Sequence, residues 1–101
     1  MSLPMASREK ARMNEPYLQV TYRHGRPWVA YLYLPRKSGE KSADTELVEP
    51  EMVLDFNEDG KLIGIEILAP SLVTLDVINK VLKEHGLESL EESVLAPLEA
   101  A

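Results

Sequence analysis

Cysteine is absent from the 101 residues, and only two histidines occur, His24 and His85. Disulfide frameworks, thiolate zinc sites, iron–sulfur clusters and thiol nucleophiles are thereby excluded, and a three-histidine metal site would need a second subunit. Long apolar runs are also missing. The longest are a few residues, against the roughly 20 that a membrane-spanning helix requires. No basic start followed by an apolar stretch and a small-residue cleavage site is present, so a cytoplasmic protein is expected. No phosphate loop, nucleophile elbow, zinc-protease helix or dinucleotide fingerprint occurs. The expectation is therefore a protein with no catalytic residues, no bound cofactor and no enzymatic activity.

What is present is one domain's worth of chain. About 100 residues bury only roughly 60–65% of their unfolded surface, enough for one core. The formal charge is −6 with 45% hydrophobic residues. That charge is uneven: residues 1–45 hold eight Lys/Arg against four acids, giving +4, while residues 46–101 hold three Lys against thirteen acids, giving −10. Five of the six aromatics (Tyr17, Tyr22, Trp28, Tyr31, Tyr33) lie in the basic half. Such a combination has the ingredients of a nucleic-acid-binding module, but aromatics alternating with Leu and Val are what strands prefer. Nucleic acid is accordingly not the expected partner.

Residues 1–16 carry no sustained apolar period and read as a flexible tail; residues 17–101 form a single α+β domain. From Tyr17 the period is two, with Leu18, Val20 and Tyr22 on one face of a first strand. His24–Pro27 is expected as a turn, and a second strand, Trp28–Leu34, places Trp28, Ala30, Leu32 and Leu34 on one face and Val29, Tyr31 and Tyr33 on the other. Residues 36–45 read as a polar, mobile loop. Strand three is Met52–Phe56, starting as early as Leu47 with an interruption at Pro50, and strand four is Lys61–Leu68. A four-residue loop between Phe56 and Lys61 sets Leu54 opposite Ile63 and Met52 opposite Ile65.

After Pro70 the period becomes helical. Thr74 caps a helix over 74–85 that Gly86 closes, with Leu75, Ile78 and Leu82 as its apolar stripe, widened by Val77 and Val81, and with Asn79 facing water. The capping-box pattern Ser89-Leu90-Glu91-Glu92 starts a short helix over 89–96. The expected architecture is a four-stranded antiparallel β-meander (17–68) with one amphipathic helix packed on one face and a short C-terminal helix. Its open edges and second face predict a homodimer.

Asp55 to Glu66 matches the EF-hand calcium loop position by position, with oxygens at Asp55, Asn57 and Asp59, Gly60 at the sixth place and Glu66 at the twelfth. The flanks decide against it. Glu49–Leu54 contains proline and β-formers, and Ile63–Leu68 alternates as a strand; extended at ~3.3 Å per residue, Glu66 stands roughly 20 Å from Gly60. The segment is expected to be a hairpin whose turn is made by Asn57, Glu58 and Asp59, with Gly60 at positive φ. Metal sites are thus predicted to be none, and a weak divalent-cation site at Asp55, Asn57, Asp59 and Glu66 is the alternative. Asp55 and Glu66 as a carboxylate pair are expected to fall on separate faces or on a solvated edge.

The run Met52–Leu68 resembles the signature hairpin of the small bacterial proteins catalogued as domain of unknown function 2283, where a strand ends in an acidic turn with glycine and continues as a Gly-Ile-Glu-Ile-Leu-like strand. Tyr22 and Ala30–Leu34 resemble that family's first hairpin, covering residues 17–70 in all. Its usual first-turn acids are replaced here by Arg23-His24-Gly25-Arg26-Pro27. The resemblance implies fold more than activity, together with a partner-binding role of a toxin-neutralising kind. The functional expectation is a dimeric protein-interaction module with an unidentified protein partner.

Overall fold

Strand formation follows the alternation of β-branched, aromatic and aliphatic residues, and a computed structural model describes residues 15–36 and 39–99. Five strands form one antiparallel sheet: β1 (Tyr17–Arg23), β2 (Arg26–Tyr33), β3 (Asp44–Val48), β4 (Met52–Phe56) and β5 (Leu62–Ile67). Their spatial order is β1-β2-β5-β4-β3. A short 3-10 turn (Pro70–Leu72) leads to α1 (Leu75–Glu84) and α2 (Glu92–Glu99). The α+β class with an antiparallel sheet and two helices is as expected. Strand number and order are not.

Two features account for the difference. The segment around Pro50 is a turn, with a cis Glu49–Pro50 bond and Glu51 at φ 58, and it joins two separate strands, β3 and β4. Asp44 and Thr45, expected in a loop, thus belong to a strand. Second, the connection after β2 carries the chain to the far edge, so that β3, β4 and β5 return inward and β5 pairs with β2 through Ala30↔Ile67 and Leu32↔Ile65. A simple meander would have put β2 beside its successor.

Local corrections have equally plain causes. The first turn is only His24-Gly25, both at positive φ, as two-residue hairpins with the right twist require; Arg26 and Pro27 already lie in β2. Trp28, expected on one face with Ala30, Leu32 and Leu34, is the extra residue of a bulge, since Thr21 pairs with Val29 and Tyr22 with Pro27, and it is half exposed while those three are buried. Tyr22 is likewise exposed. In the β4–β5 hairpin Leu54 faces Ile65 and Met52 faces Ile67, two residues from the expected register. A five-residue loop, Asn57–Lys61, and Ile63 as a bulge each contribute one residue of that shift.

One face of the sheet is the core. Ala30, Leu32, Met52, Leu54, Ile65 and Ile67 are packed against Ile78, Val81 and Leu82 of α1 and Leu95 and Leu98 of α2. The α1 stripe follows from the i, i+3, i+4, i+7 spacing. Thr74 Oγ1 accepts from the Val77 amide at 3.3 Å. At the other end Gly86, at φ 75, lets its own amide reach Lys83 O and the Leu87 amide reach Leu82 O, a Schellman closure. Asn79 does not face water: its Oδ1 accepts from the Leu90 amide at 2.7 Å, tying the α1–α2 connection to α1. That bond takes the amide just after the expected Ser89 cap, and α2 starts later, at Glu92, with Pro97 inside it. The tail assigned to residues 1–16 lies outside the described residues up to position 14.

The β4–β5 turn is organised by Asn57, the buried polar residue at 8% exposure. Its Oδ1 accepts from the amides of Asp59 and Lys61, both at 2.9 Å, and its Nδ2 donates to the Glu40 carboxylate. Asn57→Ala leaves those two amides without their acceptor, and chemical denaturation should register a loss of about 2–3 kcal/mol. Asn57→Asp, which keeps the acceptor but sets a carboxylate beside Glu40, should lie between the two.

Candidate functional site on the uncovered sheet face

Tyr17, Gln19 and Thr21 of β1, Val29, Tyr31 and Tyr33 of β2, Thr45 and Leu47 of β3, Val53 and Asp55 of β4, and Gly64 and Glu66 of β5 point away from the helices. The register aligns Tyr17, Tyr33, Gly64, Asp55 and Thr45 in one row across the sheet, and Gln19, Tyr31, Glu66, Val53 and Leu47 in the next. No helix of the described residues covers this face, and Leu47 is 71% exposed on it.

Glycine at 64 determines the geometry. A Cβ built there would lie 1.9 Å from the Tyr31 hydroxyl and 2.4 Å from its Cζ. The Tyr31 ring therefore lies directly over the backbone of β5, crosses that strand, and donates its hydroxyl to Asp55 Oδ2 on β4 at 2.6 Å. The side chain of one strand is thereby anchored two strands away. Tyr33 and then Tyr17 stack outward from it. Tyr31 and Tyr33 meet edge to face with centroids 4.6 Å apart, and Tyr33 meets Tyr17 at 6.0 Å. Tyr33 donates to Gln19 Oε1 at 3.1 Å.

Arg36 lies over the middle of the row. Pro35 ends the strand and lets the chain turn back over the face, where the guanidinium stands 5.3 Å from the Tyr33 centroid and Nη2 donates to the Ile63 carbonyl. Its Nε is buried without a hydrogen-bond partner.

The electrostatics follow from burial. Desolvation is the largest influence on Tyr31, followed by its hydrogen bond to Asp55 and the Asp55 charge, and Arg36 opposes these; the phenol is pushed from 10.0 up to about 12. At neutral pH it is a fixed hydrogen-bond donor and a poor proton acceptor. The face thus holds an anchored aromatic row with a carboxylate at its Tyr31 end and a guanidinium over its middle ring, Tyr33.

The sequence-predicted metal alternative is distributed quite differently. Asp55 and Glu66 stand on the same face in adjacent interior strands, with Glu66 opposite Val53, rather than on separate faces or a solvated edge as expected. Asp55 accepts from Tyr31, while Asn57 directs its oxygen into its own turn and Asp59 lies within that turn. The flanks are strands, so Glu66 is carried along β5 away from Asp59. Among the described residues there is no group of three or more His, Cys, Asp or Glu placed to hold a metal ion. His24 is at the β1–β2 turn, where Arg23 stacks on Trp28 at 5.0 Å, and His85 caps α1 against Phe56.

Sequence reasoning missed the Tyr31–Gly64–Asp55 crossing. The available signal was a glycine inside a strand otherwise built of isoleucine, which marks close approach by another group.

Residues 29–71 match the model of a family described as Protein of unknown function (DUF2283). Over that segment the chain resembles DUF2283. The matched segment runs from β2 to the 3-10 turn and contains Tyr31, Tyr33, Arg36, Asp55 and Gly64, whereas Tyr17 and Gln19 precede it. No curated protein and no solved structure matches the chain. No helix of the described residues is long and apolar enough to cross a membrane.

Two measurements bear on this site. Gly64→Ala should cost about 1–3 kcal/mol by expelling the ring and its bond to Asp55, and the same substitution in a Tyr31→Ala background should cost close to nothing. In a tyrosinate absorbance titration one phenol should ionise near pH 12, and Tyr31→Phe should abolish that late step. Because the folded chain holds this proton more tightly than the unfolded chain, the stabilisation is complete below pH 10 and is lost as pH rises from 10 through about 12.

Proposed function

We propose that the chain is a non-catalytic, homodimeric protein-interaction module of the cytoplasm that presents the tyrosine row of its uncovered sheet face to a protein partner. The observation that carries the reading is the anchored aromatic face. Tyrosine and arginine dominate the energetics of protein recognition, and rings held in place beforehand lose little freedom on binding. Tyr31 is fixed by Asp55, Tyr33 by Gln19 and Tyr31, and Arg36 by the Ile63 carbonyl. Exposed Leu47 and half-buried Val53 add apolar surface beside them.

The absence of catalysis is favoured by the chemistry of the same groups. Tyr31 keeps its proton through neutral pH and spends it on Asp55. A toxin-neutralising role is the specific form of partner binding that the family resemblance suggests. Calcium binding is the weaker reading, because Asn57, its central ligand, uses its oxygen within the turn.

Dimerisation is tested by light scattering coupled to size exclusion at micromolar concentration. The expected mass is twice that of the chain, and a single-chain mass at all concentrations contradicts the reading. Partner capture by the immobilised chain should be lost in Leu47→Asp on the face and kept in Leu72→Asp, an exposed leucine of the 3-10 turn.

A further inference from the structure

We propose that the dimer, whose existence rests on the reading above, is built by antiparallel pairing of β1 with β1 of a second copy about a two-fold axis at Val20. The two sheets then join into one, with both tyrosine faces on the same side.

Among the described residues β1 and β3 are the two edges of the sheet, and an unpaired edge is a template for another strand. The two differ in charge. β3, Asp44-Thr45-Glu46-Leu47-Val48, carries two acids in five exposed or partly exposed positions, and a two-fold axis at its centre would set Glu46 against Glu46 of the partner subunit. β1, Tyr17-Leu18-Gln19-Val20-Thr21-Tyr22-Arg23, has one charge and no proline.

Hydrogen-bonding geometry selects the register. The two-residue turn at His24-Gly25 makes Arg23↔Arg26 a hydrogen-bonded pair within the hairpin. Amides then alternate along β1, and the bulge does not disturb this alternation because its extra residue, Trp28, is on β2. Leu18, Val20 and Tyr22 are left with their backbone groups directed at the open side. An axis at Val20 uses all three, pairing Val20 with itself and Leu18 with Tyr22 of the partner subunit, for about six main-chain hydrogen bonds. It is also the midpoint of the strand, so no residue of β1 is left unpaired.

Side chains agree with that register on both faces. On the helix side, Leu18 and Val20, each partly buried, meet Tyr22 and Val20 of the partner subunit, and Tyr22 is 56% exposed in the single chain. On the outer side, Gln19 meets Thr21 of the partner subunit. Tyr17, the end of the aromatic row, meets Arg23 of the partner subunit, so the partner contributes a cation to the face. No like charges face one another.

The cysteine-free chain makes the test direct. Paired Cα atoms in this hydrogen-bonded position are about 5.5 Å apart, within disulfide range. Val20→Cys should link to itself under mild oxidation, with the linked species dominating the unreduced lane. Gln19→Cys alone should not link, and Gln19→Cys/Thr21→Cys, changed only at exposed positions, should; that double variant decides the matter if Val20→Cys fails to fold. A wild-type dimer in which neither links, or in which Glu46→Cys links instead, overturns the β1 assignment and leaves the dimer standing. Scattering mass that keeps growing with concentration indicates head-to-tail β1–β3 filaments and also overturns it. A wild-type monomer with no linked variant removes both readings.

Discussion

The Tyr31 ring lying over Gly64 to reach Asp55 is the interaction on which the rest of the outer face depends. It joins three consecutive strands, β2, β5 and β4, at the place where the topology is least local. β2 and β5 are separated in sequence by the whole β3–β4 excursion, and only a few paired residues connect them. A side chain that spans this seam adds a contact from β2 to β4 that backbone pairing cannot supply. It also fixes the first ring of the row against which Tyr33, Tyr17 and Arg36 are stacked.

The two faces of the sheet therefore have different physics. The core on the helix side is held by aliphatic packing, where Leu32, Ile65, Ile67, Ile78, Leu82 and Leu95 are fully buried. The outer side is held by rings, one carboxylate and one guanidinium, with partial burial. The rings of that face are held in place beforehand while part of their surface stays exposed. The polar turn at Asn57 lies at one end of β4 and keeps the β4–β5 hairpin in the register that brings Asp55 opposite Gly64.

Much of this was legible in the residues. Thr74, the α1 stripe and Gly86 mark one helix almost to its ends, and the β-formers flanking Asp55–Glu66 identify a hairpin despite the calcium-loop pattern. What was not legible has physical reasons. The exposed strand Asp44–Val48 has no buried face, so its first residues, Asp44 and Thr45, carry no apolar alternation and read as loop. Bulges at Trp28 and Ile63 shift pairing by one residue without any change in composition. The pairing of β2 with β5 is a tertiary choice made by the length and path of a polar connection. Tyr31 and Asp55 read as ordinary strand residues until Gly64 places one above the other, and Asn79 reads as surface until the α1–α2 connection folds back onto it.

The most direct test of the central contact is proton NMR of the intact chain. With the Tyr31 ring lying on Gly64, the Gly64 α-protons should be displaced well upfield by the ring current and should show cross-relaxation to the Tyr31 ring protons; both effects should vanish in Tyr31→Leu. Gly64 α-protons at ordinary strand shifts in the wild-type chain, with no cross-relaxation to Tyr31, would contradict the account.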